Sequence, residues 1–220
     1  MSKESQEFFQ NNKFVVIKEF INKEVSTLLY YYCKTKAASI DFKKASAISS
    51  YDSNWDGRFN DTQAPGAYSY YGDPIMDSVM MLSLNAMIDT IGLELIPNYS
   101  YWRLYQKDNV LDKHRDRPSC EISATICLGY DVSNVDKTKY PNYVWPMFVE
   151  TENSQELPIA LMPGDLIIYR GCEVNHWREK FIGLNHAQVF IHFNDANGPF
   201  KNFLDNRHII GIPKPHEEKR

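Results

Sequence analysis

The sequence has no Cys-x-x-Cys pair, no long apolar run, no basic surplus and no internal repeat. Each absence removes a class of protein. None of the four cysteines (Cys33, Cys120, Cys127 and Cys172) has zinc-knuckle spacing, and nothing in their placement forms a disulfide framework. Free thiols in a reducing compartment are therefore expected. No apolar stretch approaches the ~20 residues that span a bilayer. The polar start, residues 1–7, lacks the apolar segment of a signal peptide. These two readings predict a soluble, cytoplasmic protein with no membrane partner. A net charge of −4 argues against a sequence-independent grip on nucleic-acid phosphates. With no repeat and no compositional break, the 220 residues are expected to form one domain, 1–220.

Apolar and aromatic residues are plentiful. A hydrophobic share of 43% and an aromatic share of 14% belong to a folded chain rather than a disordered one. Residues 13–20 are a short β-rich run. Asn22 then caps a helix from Lys23 to about Lys36, with Val25, Leu28, Leu29, Tyr32 and Cys33 at helical spacing. From Ala37 to Gly72 the periodicity dissolves into a long loop carrying Tyr68, Tyr70 and Tyr71, which either line a substrate groove or pack on the surface. Asp73-Pro74 opens a second helix that Gly92 stops. Its apolar residues lie nearly all round, which predicts a well-buried rod with Met76, Met80 and Met87 in the core.

After Pro97 the period changes to two. Strands are expected over 99–105, 122–128, 143–149, 159–161, 166–169, 173–178 and 186–193. Pro163-Gly164-Asp165 reads as a turn. Many short strands at close spacing predict an antiparallel sandwich or jelly roll. The tail after Pro213 reads as frayed, and His208 and His216 as structural or exposed.

The chemistry converges on His114-Arg115-Asp116. Residues i and i+2 of an extended segment face the same way, so this imidazole and this carboxylate can close on one ion. His176 supplies a third ligand from far downstream. Two histidines and a carboxylate hold non-haem Fe(II) and leave positions open for oxygen and an organic acid.

These features resemble the Fe(II)/2-oxoglutarate-dependent dioxygenase superfamily, in its prolyl-hydroxylase-like branch. The elements that carry the resemblance are His114-x-Asp116, then a run of strands, then Pro163-Gly164-Asp165 leading into a strand and His176. The resemblance covers about residues 97–195. It implies an α+β, mainly β fold: a double-stranded β-helix, or jelly roll, buttressed by the N-terminal helices. It implies Fe(II) held by His114, Asp116 and His176, and 2-oxoglutarate and O2 as co-substrates, with ascorbate as reductant. Such enzymes release succinate and CO2 while hydroxylating a protein side chain or a small molecule. Because Asp116 is present, hydroxylation is favoured over halogenation, which dispenses with the carboxylate.

Members often carry a tyrosine nine or ten residues before the first histidine, where Tyr105 stands. They usually place Arg or Lys about ten residues after the distal histidine, to pair the remote carboxylate of 2-oxoglutarate. Here that position is His186. Arg178, two residues after His176, is expected to replace it, with His186 and Tyr105 completing the pocket. The alternative is that protonated His186 is itself the partner.

Lys107, Lys113, Arg115 and Arg117 either draw an anionic ligand or form a solvated edge, and the edge is favoured. His192 is read as a core histidine and Cys127 as a small buried hydrophobe, although the face shared by Ser123, Thr125 and Cys127 can also line a pocket. Two other functions stay open: a catalytically silent jelly-roll binding module, which the complete ligand set opposes, and a cupin-like metalloenzyme not using 2-oxoglutarate, which His186 keeps open.

Overall fold

The computed structural model describes residues 3–46, 50–59, 61–205, 207 and 209–213. His208 and the tail with His216 lie outside these residues. In chain order the elements are α1 (Lys3–Asn12), β1 (Phe14–Ile17), α2 (Lys23–Ser46), α3 (Ser53–Asp56), β2 (Tyr68–Tyr71), α4 (Pro74–Ile91), β3 (Leu95–Gln106) and β4 (Leu111–His114). A 3-10 turn at Pro118–Cys120 follows, then β5 (Ile122–Asp131), β6 (Met147–Glu150), β7 (Glu156–Ile159), β8 (Leu166–Arg170), β9 (His176–Arg178) and β10 (Asn185–Asp195).

The strands form two antiparallel sheets, β1-β8-β5-β10-β3-β2 and β4-β9-β6-β7. Together they make the expected jelly roll. In the large sheet, alternate residues do different work. Ile122, Ala124, Ile126 and Leu128 of β5, Val189 and Ile191 of β10, and Trp102 and Leu104 of β3 join the cluster that also holds Leu29, Cys33, Met76, Met80 and Met87 of the helices. Helices α2 and α4 therefore cover one face. The other face looks into the roll, and there the same strands present Ser123, Thr125, Arg103, Gln188 and His192, all buried. Polar groups are costly on a face closed to water unless they have partners or a ligand.

Local signals explain the elements. Val25 N–H donates to Asn22 Oδ1 at 2.8 Å, capping α2. Asp73 caps α4 by accepting from Ile75 N–H at 3.0 Å, and Gly92, left-handed at φ 71, ends it through N–H to Ile88 O. Gly164 has φ +97, and a Cβ there would stand 2.5 Å from Ile21 O, so the turn before β8 requires glycine.

Two expectations need correcting, and one helix carries no expectation. Helix α2 runs on to Ser46, so the irregular stretch starts later than Ala37. Leu29, Cys33, Ala37 and Ile40 keep one buried stripe, which Lys34, Thr35, Lys36 and Ser39 between them disguise. Helix α4 is not buried all round, for Leu82 is 80% exposed. The N-terminal segment forms α1, anchored by the fully buried Phe9. Among the described residues, the four cysteines are free and no helix is long and apolar enough to cross a membrane.

Candidate metal centre

The short strands β4 and β9 pair antiparallel, and their register sets His114 directly opposite His176. The two imidazoles lie 4.3 Å apart between ring centroids. Asp116 follows just beyond β4, where its N–H donates to Gly171 O at 2.9 Å. Its Oδ1 stands 3.7 Å from His114 Nε2 and 3.6 Å from His176 Nε2. One ligand atom from each residue lies within 4.8 Å of the others. Metal–ligand bonds of about 2.0–2.2 Å suit such a group.

The histidines are oriented for this. His114 Nδ1 lies 2.7 Å from Asp112 O, and His176 Nδ1 3.0 Å from Val174 O. A carbonyl only accepts, so each Nδ1 carries the hydrogen and each Nε2 keeps its lone pair. Burial pushes the His176 imidazole below its ordinary pKa, which keeps it neutral. Asp116 Oδ2 accepts from Ser123 Oγ at 2.7 Å. Gly171 makes room for that contact, since a Cβ there would lie 2.5 Å from Asp116 Oδ2.

The three residues open on a cavity of about 490 Å³. Arg178 lines it with only 1% of its surface exposed. Its guanidinium donates to Trp145 O and to Gln188 Oε1, each at 2.8 Å, and stacks over the Trp145 ring. Among the described residues no carboxylate pairs with it. Burial pulls its pKa down, yet a guanidinium keeps its proton in a protein. The cavity wall thus holds a buried, unneutralised charge. Nearby, Gln188 Nε2 is buried without a hydrogen-bond partner among the described residues.

Tyr105 and His186 do not line the cavity. Both pack edge-on against Trp145, at 5.0 and 5.4 Å between centroids, on the indole that carries Arg178. Burial, and then Arg178, pushes the His186 imidazole well below its usual pKa. A neutral ring beside a guanidinium offers no second cation.

Of the four basic residues singled out, Arg115 and Arg117 line the cavity, while Lys107 and Lys113 do not. Lys113 is engaged by Glu150 and Glu156. Of the three tyrosines, Tyr68 and Tyr70 pack into the helix-side core and Tyr71 lines the cavity.

The stretch before β2 lies over the cavity, contributing Asp61, Thr62 and Gln63. Arg103 anchors it: Nε donates to Asp61 Oδ2 and Nη2 to Gln63 Oε1, each at 2.6 Å, and Tyr101 OH also donates to Asp61. Burial alone would raise the Asp61 carboxyl, but Arg103 and Tyr101 outweigh it and hold the pKa low. Breaking such a buried pair costs about 3–5 kcal/mol. Asp61→Ala is therefore expected to make residues 57–67 several times more sensitive to limited proteolysis. Equal cleavage of mutant and wild type would show that this pair does not hold the segment.

No protein-family model matches the sequence, and no curated protein does. Solved structures do match. A prolyl-4-hydroxylase from Pseudomonas putida superposes with a TM-score of 0.65 at 14% identity, over 89% of this chain and 99% of that one. The fold is that of the Fe(II)/2-oxoglutarate oxygenases. Two further structures share it. The α-ketoglutarate-dependent carbocyclase SnoK of nogalamycin biosynthesis gives a TM-score of 0.61 at 14% identity, over 99% of this chain and 94% of that one. EctD from S. alaskensis, with bound Fe, gives 0.60 at 14% identity, over 96% and 83%. The oxygenase fold thus leaves the substrate to the cavity.

Proposed function

We propose that this protein is a non-haem Fe(II)/2-oxoglutarate-dependent oxygenase, working as one domain, that hydroxylates a protein side chain or a small molecule and releases succinate and CO2. The observation that carries this reading is the buried Arg178, without a carboxylate partner, in the same cavity as His114, Asp116 and His176.

The residues fit both groups. His114 Nε2, Asp116 Oδ1 and His176 Nε2 would hold Fe(II), since neutral imidazole and carboxylate are the donor set of a facial triad. When bound, iron supplies the oxygen chemistry that couples decarboxylation of 2-oxoglutarate to C–H oxidation. The chain's own groups do the rest. Arg178 receives the remote carboxylate of 2-oxoglutarate, and its planar fork suits two-point binding. Gln188 Nε2 is a buried donor that a polar ligand would satisfy. Tyr105 and His186 back this wall by fixing Trp145 beneath Arg178. The segment carrying Asp61 and Gln63 shields the cavity from water and takes part in substrate choice. A cytoplasmic setting, with ascorbate as reductant, keeps iron and the free thiols reduced.

Purified protein given Fe(II), ascorbate and 2-oxoglutarate is expected to release succinate slowly without substrate, and faster when a substrate is present. No succinate from iron-loaded protein that binds 2-oxoglutarate would overturn the proposal.

A further inference from the structure

Asp116 is held by more than its place in the chain. Ser123 Oγ lies 2.7 Å from Asp116 Oδ2, 3.1 Å from Cys120 O and 2.9 Å from His192 Nδ1. Ser123 and His192 are cross-strand partners on β5 and β10, and His192 also faces Tyr99 of β3, its ring 4.6 Å from the tyrosine ring. A serine hydroxyl has one hydrogen and two lone pairs. The carboxylate and the carbonyl only accept, so the hydrogen belongs to them. His192 Nδ1 must then donate to Ser123. Burial keeps that imidazole neutral, pushing its pKa down to about 4. The proton order is fixed along the row: His192 Nδ1–H to Ser123, Ser123 O–H to Asp116.

The consequence falls on Asp116. With Oδ2 held by Ser123, in the space that Gly171 leaves by having no Cβ, Oδ1 is the oxygen nearest the two histidines. A carboxylate free to rotate would offer both oxygens and consume a position that the co-substrates need. We propose that His192, acting through Ser123, is a positioning residue that keeps Asp116 a one-oxygen ligand. This rests on the metal reading above and adds to it a role for two residues outside the ligand set.

The test uses Co(II) as the metal probe and reads the sign of the change. In Ser123→Ala, Asp116 loses its partner and gains freedom to bind through both oxygens. Co(II) affinity is expected to hold or rise. The visible Co(II) spectrum should weaken as coordination increases, and succinate release with Fe(II) should fall about 10–100-fold, the usual scale for outer-shell partners. His192→Asn, whose amide N–H stands near the position of Nδ1, should keep the Co(II) spectrum close to wild type. His192→Leu should move it toward that of Ser123→Ala. Nitrogen NMR of metal-free wild type should show His192 protonated at Nδ1, a state that Ser123→Ala loosens.

If Ser123→Ala instead weakens Co(II) binding along with thermal stability and leaves the spectrum unchanged, the role is merely structural and the inference fails. Identical spectra for His192→Asn and His192→Leu, or an Nδ1 without its proton, would overturn it as well. Failure of wild type to take up Co(II) at the triad would bring down the metal reading itself, a result distinguishable from these.

Discussion

Arg178→Met is expected to raise the KM for 2-oxoglutarate on the order of 100-fold, because truncating one partner of a buried charge pair costs about 2–5 kcal/mol. Methionine roughly keeps the volume and the packing on Trp145 but removes the charge and the fork of donors. The guanidinium is enclosed and, among the described residues, bonded only to a carbonyl and an amide oxygen. It therefore has donors and charge to offer an anion. His186→Gln is expected to change the same KM by less than about 3-fold, since the ring is buried, neutral and outside the cavity lining.

The two residues also differ in their response to pH. A histidine anchor attracts a carboxylate only while protonated, so affinity would be present below its pKa and lost as pH rises through it. Burial and Arg178 push the His186 pKa well below the ordinary value, so it does not titrate between pH 6 and 8. Arginine keeps its charge throughout. Wild-type affinity for 2-oxoglutarate is thus expected to be flat over that range. A larger effect from His186→Gln, or affinity that falls between pH 6 and 8, would reassign the anchor.

His176→Ala is expected to abolish turnover and to weaken Fe(II) binding by more than the ~10–100-fold typical of outer-shell partners. His176 is the most enclosed of the three proposed ligands, 3% exposed, with Nδ1 committed to Val174 O. Removing it leaves His114 and Asp116, two donors from one short segment, with the cross-strand position on β9 empty. Calorimetric titration with Fe(II) under anaerobic conditions measures the loss, and circular dichroism checks that the jelly roll persists. Undiminished binding in this variant would place the metal elsewhere.

Much of this arrangement is legible in the sequence. The His114–Asp116 pairing follows from strand periodicity, and the period-two runs after Pro97 located the strands of the roll. Arg178 was legible for the same reason, two residues from His176 on one strand face. The register that sets His176 directly opposite His114 is not, because it is fixed by pairing across some sixty residues rather than by local pattern. Ser123, Gln188 and His192 carried a weaker signal. Each interrupts an otherwise apolar strand at every second position, and on a sheet covered on one side by helices that alternation marks an inner face with work to do. His192 reads as a core histidine in the sequence, and it is buried, but its contact with Ser123 is a tertiary fact. The hold of Arg103 on Asp61 was hidden too, since it joins a strand to an irregular segment forty residues away. The second half of α2 is hidden in the sequence because its buried stripe is thin, with Ala37 and Ile40 set among polar residues.

The most direct test of the central claim is an anaerobic crystal structure with Fe(II) and 2-oxoglutarate. The account predicts one ion about 2.0–2.2 Å from His114 Nε2, Asp116 Oδ1 and His176 Nε2, with the remote carboxylate of 2-oxoglutarate on Arg178. An ion bound away from these three residues, or a carboxylate that leaves Arg178 unpaired, would contradict it.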